Sequence, residues 1–220
     1  MKSVAVIHTV PSVIEAFAQR LHAEIPDLVI YNLLDEFLSI DPNRLHRFEE
    51  KHVDRLKVLI QLALSSQPDL IISTCSTLSG VLAGIRDEYP VPIITIDEAM
   101  IKAVVAAKEE ILILATAESS VPPLLERIKK EIASAEEDVH VSVRIVPDAF
   151  AALQKGNKAE HDRLIVDYAA GLAHAGTIVL SQVSMGHVRS DISRVSGCLV
   201  FSAIEPCIQQ IAKMLGERRG

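Results

Sequence analysis

One cysteine stands in a segment whose residue types and order suggest chemistry. Residues 73–77, which include Cys75, Ser76 and Thr77, follow a run of apolar residues and precede an apolar pattern of helical period. A helix N-terminus carries free N–H groups and a partial positive charge, so it favours a thiolate and binds anions. A thiolate beside a bound carboxylate can remove or deliver a proton at the adjacent carbon. The alternative is that Cys75 packs in the core and the hydroxyl residues cap the helix.

The elements that must position this cysteine alternate along the chain. Eight short apolar runs are predicted as strands and are separated by amphipathic helical stretches, one of them a single helix over 43–66. The predicted strands are 4–7, 28–31, 70–73, 93–96, 111–114, 141–145, 178–180 and 199–201. Continuously apolar runs are typical of parallel strands covered on both faces, so the pattern predicts an α/β protein. Ligands bind such sheets at the carboxyl ends of the strands.

The two halves of the sequence match each other at a shift of 107 residues. Residues 69–77 fall on 176–184, so that Cys75 is matched by Gln182 and Thr77 by Ser184. The shift slips once, because 35–37 pairs better with 148–150, at 113. The repeat predicts two similar Rossmann-like halves with parallel sheets, related by a pseudo-twofold, with an active-site cleft between their strand ends.

The same repeat predicts where the halves begin and end. The first half is expected to comprise residues 1–97 plus 205–220, and the second half residues 98–204. The last helix, from Glu205 onward, is therefore expected to pack back on the first half.

Composition excludes several classes of function. Lys and Arg number 22 against 29 Asp and Glu, a net charge of −7 without a long basic run, so nucleic acid and anionic membranes are not expected partners. The three cysteines lack CxxC spacing, which argues against a disulfide framework and a zinc site, and Cys198 and Cys207 are expected to be packing residues. No metal-binding motif or glycine-rich phosphate loop is present. Without a signal peptide or a long apolar run, we expect a cytoplasmic protein.

The segment around Cys75 resembles the first cysteine motif of the aspartate/glutamate/hydantoin racemase superfamily, in which Cys-Ser-Thr follows the third strand. Segments 8–12, 96–98, 114–116 and 179–185 are also similar to that family. The resemblance implies two α/β halves facing each other and a cofactor-independent isomerase of amino acid metabolism. It implies a small carboxylate, amino acid or hydantoin substrate, and a homo-oligomer. The family usually has two cysteines, one on each face of the substrate carbon.

This sequence departs from the family pattern at Gln182, which stands where the second cysteine is expected. A carboxamide does not titrate and cannot relay a proton, but it can bind an oxygen of the substrate. His8, at the end of the first strand, is the candidate for a second acid/base, because its ordinary pKa suits proton transfer. The alternative is that His8 is a polar residue satisfied by the backbone.

The residues expected to hold the substrate lie at strand ends, and most carry hydroxyl groups. They are Thr9, Ser12, Ser76, Thr77, Thr116, Ser119, Ser120 and Ser184, with Met185 beside them. Asp97 and Glu98 are expected to orient the thiol, a histidine or a substrate amine. The alternative for the acids and for several hydroxyl residues is helix capping.

Three kinds of function therefore remain open: an enzyme of this family, a binding protein without catalysis, and a cysteine hydrolase. The favoured hypothesis is a racemase or epimerase in which Cys75 transfers a proton next to a carboxylate or carbonyl. With a single thiol the enzyme could instead be an isomerase or decarboxylase of the same family, or a catalytically inactive protein that binds small carboxylates. A cysteine hydrolase ranks last, because no partner pattern for the thiol is recognisable.

Overall fold

The chain folds into two compact α/β units. The computed structural model describes residues 1–45, 47–172 and 176–217. Unit 1 comprises Met1–Glu98 and Glu205–Gly220, and unit 2 comprises Ala99–Ile204. Each unit contains one four-stranded sheet with helices.

Unit 1 is built on a parallel sheet with the strand order β2-β1-β3-β4. Short 3-10 turns at Pro11–Val13, Ser76–Leu78 and Arg86–Glu88 join some of its elements. The strands and helices of its first segment are β1 (Ser3–His8), α1 (Ile14–Glu24), β2 (Val29–Leu34), α2 (Phe37–Leu45), α3 (Glu50–Ser65), β3 (Leu70–Ser73), α4 (Ser79–Ile85) and β4 (Ile93–Thr95).

Unit 2 repeats this plan with the strand order β6-β5-β7-β8, again all parallel. Two 3-10 turns, Glu118–Ser120 and Val183–Val188, follow its two central strands. Its elements, together with the last helix of the chain, are α5 (Glu98–Ala106), β5 (Ile111–Ala115), α6 (Val121–Ser134), β6 (Val141–Ile145), α7 (Ala149–Gln154), α8 (Lys158–Ala170), β7 (Thr177–Leu180), α9 (Arg189–Ser196), β8 (Leu199–Phe201) and α10 (Ile204–Glu217).

The ladders of the two sheets confirm the predicted fold class of two similar parallel α/β halves. Val4 pairs with Leu70 in unit 1, and Ile111 pairs with Thr177 in unit 2. Each residue of the second pair therefore lies 107 positions after its counterpart in the first pair. At the outer strand, Val4 faces Ile30 whereas Ile111 faces Val141, a shift of 111. The outer strands therefore also depart from 107, with a shift of 111; the shift of 113 expected at residues 35–37 concerns positions beyond these ladders.

Burial separates the central strands from the outer strands β2 and β6. The central strands β3, β5 and β7 are buried along their whole length, as their continuous apolar sequences require when helices cover both faces. The outer strands β2 and β6 keep exposed or half-exposed side chains throughout. Each unit has its own aliphatic core, and Cys75 packs against the core of unit 1.

The prediction of one long helix over 43–66 is wrong, because two helices occupy this region. Helix α2 ends at Leu45 and α3 starts at Glu50. The Glu49 side chain caps the first turn of α3, and Nδ1 of the buried His52 accepts the Glu49 backbone N–H at 2.8 Å. The other ring nitrogen, Nε2, lies 3.0 Å from the Asp41 carboxylate on α2, which joins the two helices. This reciprocal capping supplies the helix start that the apolar period alone does not mark.

A glycine next to β7 gives a prediction about stability. Gly176 has φ +78°, and a Cβ there would lie 2.5 Å from the Glu110 carbonyl oxygen. We expect Gly176→Ala to lower the free energy of unfolding by about 3 kcal/mol, from left-handed backbone strain plus overpacking. Gly197→Ala is the matched control, because φ is +70° but a Cβ would meet no atom within 4 Å; we expect a loss of about 1 kcal/mol. Urea unfolding measures both, and equal losses would show that the contact with Glu110 is unimportant.

Within the described residues, none of the helices is long and apolar enough to cross a membrane.

Candidate active site

Cys75 lies immediately after β3, at the carboxyl edge of the sheet of unit 1. Its backbone is extended (φ −104°, ψ 111°), and its side chain is partly buried. The chain then enters the 3-10 turn Ser76–Leu78 and the helix α4. In the described part of the chain, the backbone N–H groups of Ser76 and Thr77 have no backbone acceptor, as is usual in a first turn. Within the described residues, the thiol is therefore followed in the chain by two N–H groups that no backbone carbonyl accepts.

His8, at the end of β1, is fully buried and engaged on both ring nitrogens. Its Nε2 lies 2.9 Å from Asn32 Oδ1, and its Nδ1 lies 2.9 Å from the Thr74 hydroxyl. Because Asn32 Oδ1 can only accept, it requires a proton on Nε2, and in the neutral ring the Thr74 hydroxyl then donates to Nδ1. Burial lowers the pKa of His8, and the hydrogen bond to Asn32 opposes this effect in part. The catalytic role of His8 stays a prediction, and these contacts favour a structural role.

The acids after β4 are engaged within unit 1. The Ser79 hydroxyl donates to Asp97 Oδ1 at 2.9 Å, and Arg86 Nη1 donates to Glu98 Oε2 at 2.8 Å. The Cys207 thiol is completely buried. Burial, together with the carboxylates of Asp97 and Glu98, raises the pKa of Cys207 far above its usual range. Cys207 therefore stays protonated, and its burial agrees with a packing residue.

In unit 2, Gln182 follows β7 and is held by Thr116, which follows β5. The Thr116 backbone N–H donates to Gln182 Oε1 at 2.8 Å, and the Thr116 hydroxyl lies 2.9 Å from the same oxygen. Thr116 is buried, with 5% of its surface exposed. Both of its donors point to Gln182, which weighs against the expected direct contact between Thr116 and the substrate.

The other predicted residues of unit 2 have different surroundings. Ser120 donates to the Ala117 carbonyl at 2.7 Å and lies 2.9 Å from the Ser181 hydroxyl, whereas Ser184 is exposed. Met185 is fully buried in the core of unit 2. Its burial weighs against the expected role of Met185 at the substrate.

Cys75 and Gln182 occupy equivalent backbone positions in their units. Gln182 is also extended (φ −123°, ψ 139°) and also precedes a 3-10 turn. The carbonyl of each residue accepts the N–H three residues on, from Leu78 and Met185 respectively, at 3.1 Å in both units. The same point of each sheet therefore carries a thiol in unit 1 and a carboxamide in unit 2.

The structure shows partners that the sequence reading missed. Asn32 lies in the middle of β2, and only the ladder between β1 and β2 brings it near His8. The hydroxyls of Thr74 and Ser181 stand directly before Cys75 and Gln182, so their adjacency was the available signal. The side chains of Ser12 and Ser119 lie outside the described part of the structure. Thr9 is buried, and Ser76 and Thr77 are half-buried.

The described side chains contain no group of three or more His, Cys, Asp or Glu residues that could hold a metal ion.

Comparison with solved structures shows the fold. Glutamate racemase from Bacillus anthracis is similar with a TM-score of 0.73 at 12% identity, over 99% of this chain and 83% of that one. Aspartate racemase from Picrophilus torridus gives 0.67 at 16% identity, over 98% and 95%. Allantoin racemase from Klebsiella pneumoniae gives 0.66 at 14% identity, over 99% and 89%.

Comparison with curated protein sequences gives no match. The family model described as Asp/Glu/Hydantoin racemase, in contrast, matches residues 4–211, almost the whole chain. With this match and the repeated parallel sheets, the chain belongs to the Asp/Glu/hydantoin racemase family.

Proposed function

We propose that this chain is a cofactor-independent enzyme of racemase type, in which Cys75 transfers a proton at a carbon next to a carboxylate or carbonyl. Gln182 binds an oxygen of the substrate. The family and the names of its solved relatives support an isomerase that acts on a small amino acid or a cyclic ureide.

The observation that carries the proposal is the equivalence of Cys75 and Gln182. A thiolate can accept the proton on the substrate carbon, and the bonding electrons then move onto the adjacent carboxylate or carbonyl oxygen as an enolate forms. A carboxamide cannot titrate, but its N–H groups can donate to an oxygen whose charge increases. The first-turn N–H groups of Ser76 and Thr77 are suited to a second oxygen of the substrate.

One titrating side chain has a stereochemical consequence. Racemisation needs a proton donor on each face of the carbon, whereas Cys75 alone returns the proton to the face from which it was taken. We therefore propose hydrogen exchange with retained configuration, or an isomerisation or decarboxylation that yields one enantiomer, as the reaction of the parent protein. A protein that binds small carboxylates without turnover is the second candidate, because Gln182 replaces a titrating residue.

The proposal is tested by incubating the protein in deuterated buffer with aspartate, glutamate, hydantoins, allantoin and substituted malonates. We expect mass spectrometry to find one deuterium at the carbon next to the carboxylate or carbonyl of at least one compound. Chiral chromatography of the same sample then shows whether the configuration is retained. Saturable binding without deuterium in any compound would contradict the enzyme and favour the binding protein. The absence of both would contradict both candidates.

A further inference from the structure

The carboxamide of Gln182 is held by its oxygen alone. Gln182 Oε1 accepts from the backbone N–H of Thr116 at 2.8 Å and lies 2.9 Å from the Thr116 hydroxyl. Because a backbone N–H can only donate, the atom facing it must be the oxygen, and this contact fixes which end of the amide points where. Within the described residues, the Gln182 amide nitrogen donates to no side chain or backbone group.

The neighbouring hydroxyls satisfy one another when each donates along its shortest contact. The Ser120 hydroxyl donates to the Ala117 carbonyl at 2.7 Å. With its hydrogen used there, Ser120 accepts from the Ser181 hydroxyl, 2.9 Å away. Ser181 then adds little to Gln182 Oε1, from which it lies 3.4 Å. The Thr116 hydroxyl remains the side-chain donor to that oxygen. Turning the amide over would place its NH2 group against the Thr116 backbone N–H and lose that hydrogen bond, because both groups can only donate.

We infer that Thr116 is a positioning residue that holds the Gln182 amide in one orientation, so that only its N–H groups face the substrate. This inference rests on the proposed function, because it concerns the same site. A fixed pair of N–H donors binds a carboxylate or carbonyl oxygen, because such an oxygen accepts hydrogen bonds. The same pair disfavours an ammonium group, which can only donate. Thr116 therefore determines which end of an amino acid or ureide can lie against Gln182.

Thr116→Val tests the inference, because valine keeps the backbone N–H and the shape but removes the hydroxyl. We expect KM to rise about tenfold with a much smaller change in kcat, and Thr116→Ser to restore the parent value. Thr177→Val is the matched control. Its hydroxyl is equally buried and donates to Glu109 at 2.9 Å, at the opposite end of β7. This control is expected to leave KM unchanged.

Gln182→Glu reverses the polarity that faces the substrate. One carboxylate oxygen can still accept from Thr116, while the other is an acceptor that repels a substrate carboxylate. We expect KM for an acidic substrate to rise more than tenfold and more than in Thr116→Val. An unchanged KM in both variants would overturn the inference.

A spectroscopic measurement separates this inference from the proposed function. The side-chain NH2 signals of Gln182 are those that disappear from the NMR spectrum of Gln182→Glu. We expect these two signals to be distinct in the parent protein and to shift in Thr116→Val but not in Thr177→Val. If no substrate exchanges hydrogen, the proposed function fails while these signals still report on Thr116. If Thr116→Val leaves the signals in place, the inference fails even in an active enzyme.

Discussion

Cys75→Ala is expected to lower the rate of deuterium exchange about a thousandfold or more. In the proposed mechanism Cys75 is the only side chain that removes the proton, and general acid–base catalysis contributes about 10²–10⁴ to a rate. Cys75→Ser should lose nearly as much, because a serine hydroxyl keeps the shape and hydrogen bonding of the thiol but does not ionise near neutral pH. The exchange is measured with the substrate identified from the panel, by mass spectrometry at fixed times.

The control is Cys198→Ala, which also removes one thiol. Cys198 is buried, and its Sγ contacts the Leu172 carbonyl at 3.6 Å. This variant should lose some stability but keep exchange within a few-fold of the parent protein. Equal exchange in Cys75→Ala and the parent protein would eliminate Cys75 as the acid/base.

Gln182→Cys is expected to convert exchange with retained configuration into racemisation, with the rate of racemisation rising about a hundredfold. The new thiol would stand at the position equivalent to Cys75, beside the N–H and hydroxyl of Thr116 that now bind the Gln182 oxygen. Polarimetry or chiral chromatography follows the loss of optical rotation from each pure enantiomer.

The double variant Cys75→Ala with Gln182→Cys is the control for this conversion. With its single thiol on the other unit, it should exchange hydrogen in the enantiomer that the parent protein does not process. If Gln182→Cys exchanges only with retention, the two positions do not serve one substrate. The proposed role of Gln182 would then be abandoned, although Cys75 could still act alone.

Much of the fold could be predicted from the sequence, because the central strands carry signals that need no knowledge of tertiary contacts. The runs 4–7, 70–72, 111–115 and 178–180 within β1, β3, β5 and β7 are apolar, and their shift of 107 is reproduced in the ladders. The outer strands β2 and β6 are less constrained by burial, and their shift of 111 was not predicted from the sequence. The break before Glu50 was missed because it depends on His52 and Asp41, which meet only in the folded chain.

Of the candidate site, the sequence predicted which residues lie at strand ends but not which residues they contact. The residues after each strand could be identified, since parallel strands place their carboxyl ends at one edge of a sheet. The partners of those residues could not, because His8 meets Asn32, and Thr116 meets Gln182, only through the registers of neighbouring strands. Met185 shows the same limit, since its place beside polar residues in the sequence gave no sign that it is buried in the core.

The division of the chain also has a consequence for its synthesis. Unit 2 is continuous in sequence, whereas unit 1 is completed by α10, on which Cys207, Ile208, Ile211 and Leu215 are buried. During translation the first 98 residues therefore emerge without the helix that completes their unit, and unit 2 emerges whole before that helix appears. The unit that carries the thiol can therefore be completed only after unit 2 has been synthesised, and a ribosome that stalls before residue 205 leaves Cys75 in an incomplete unit.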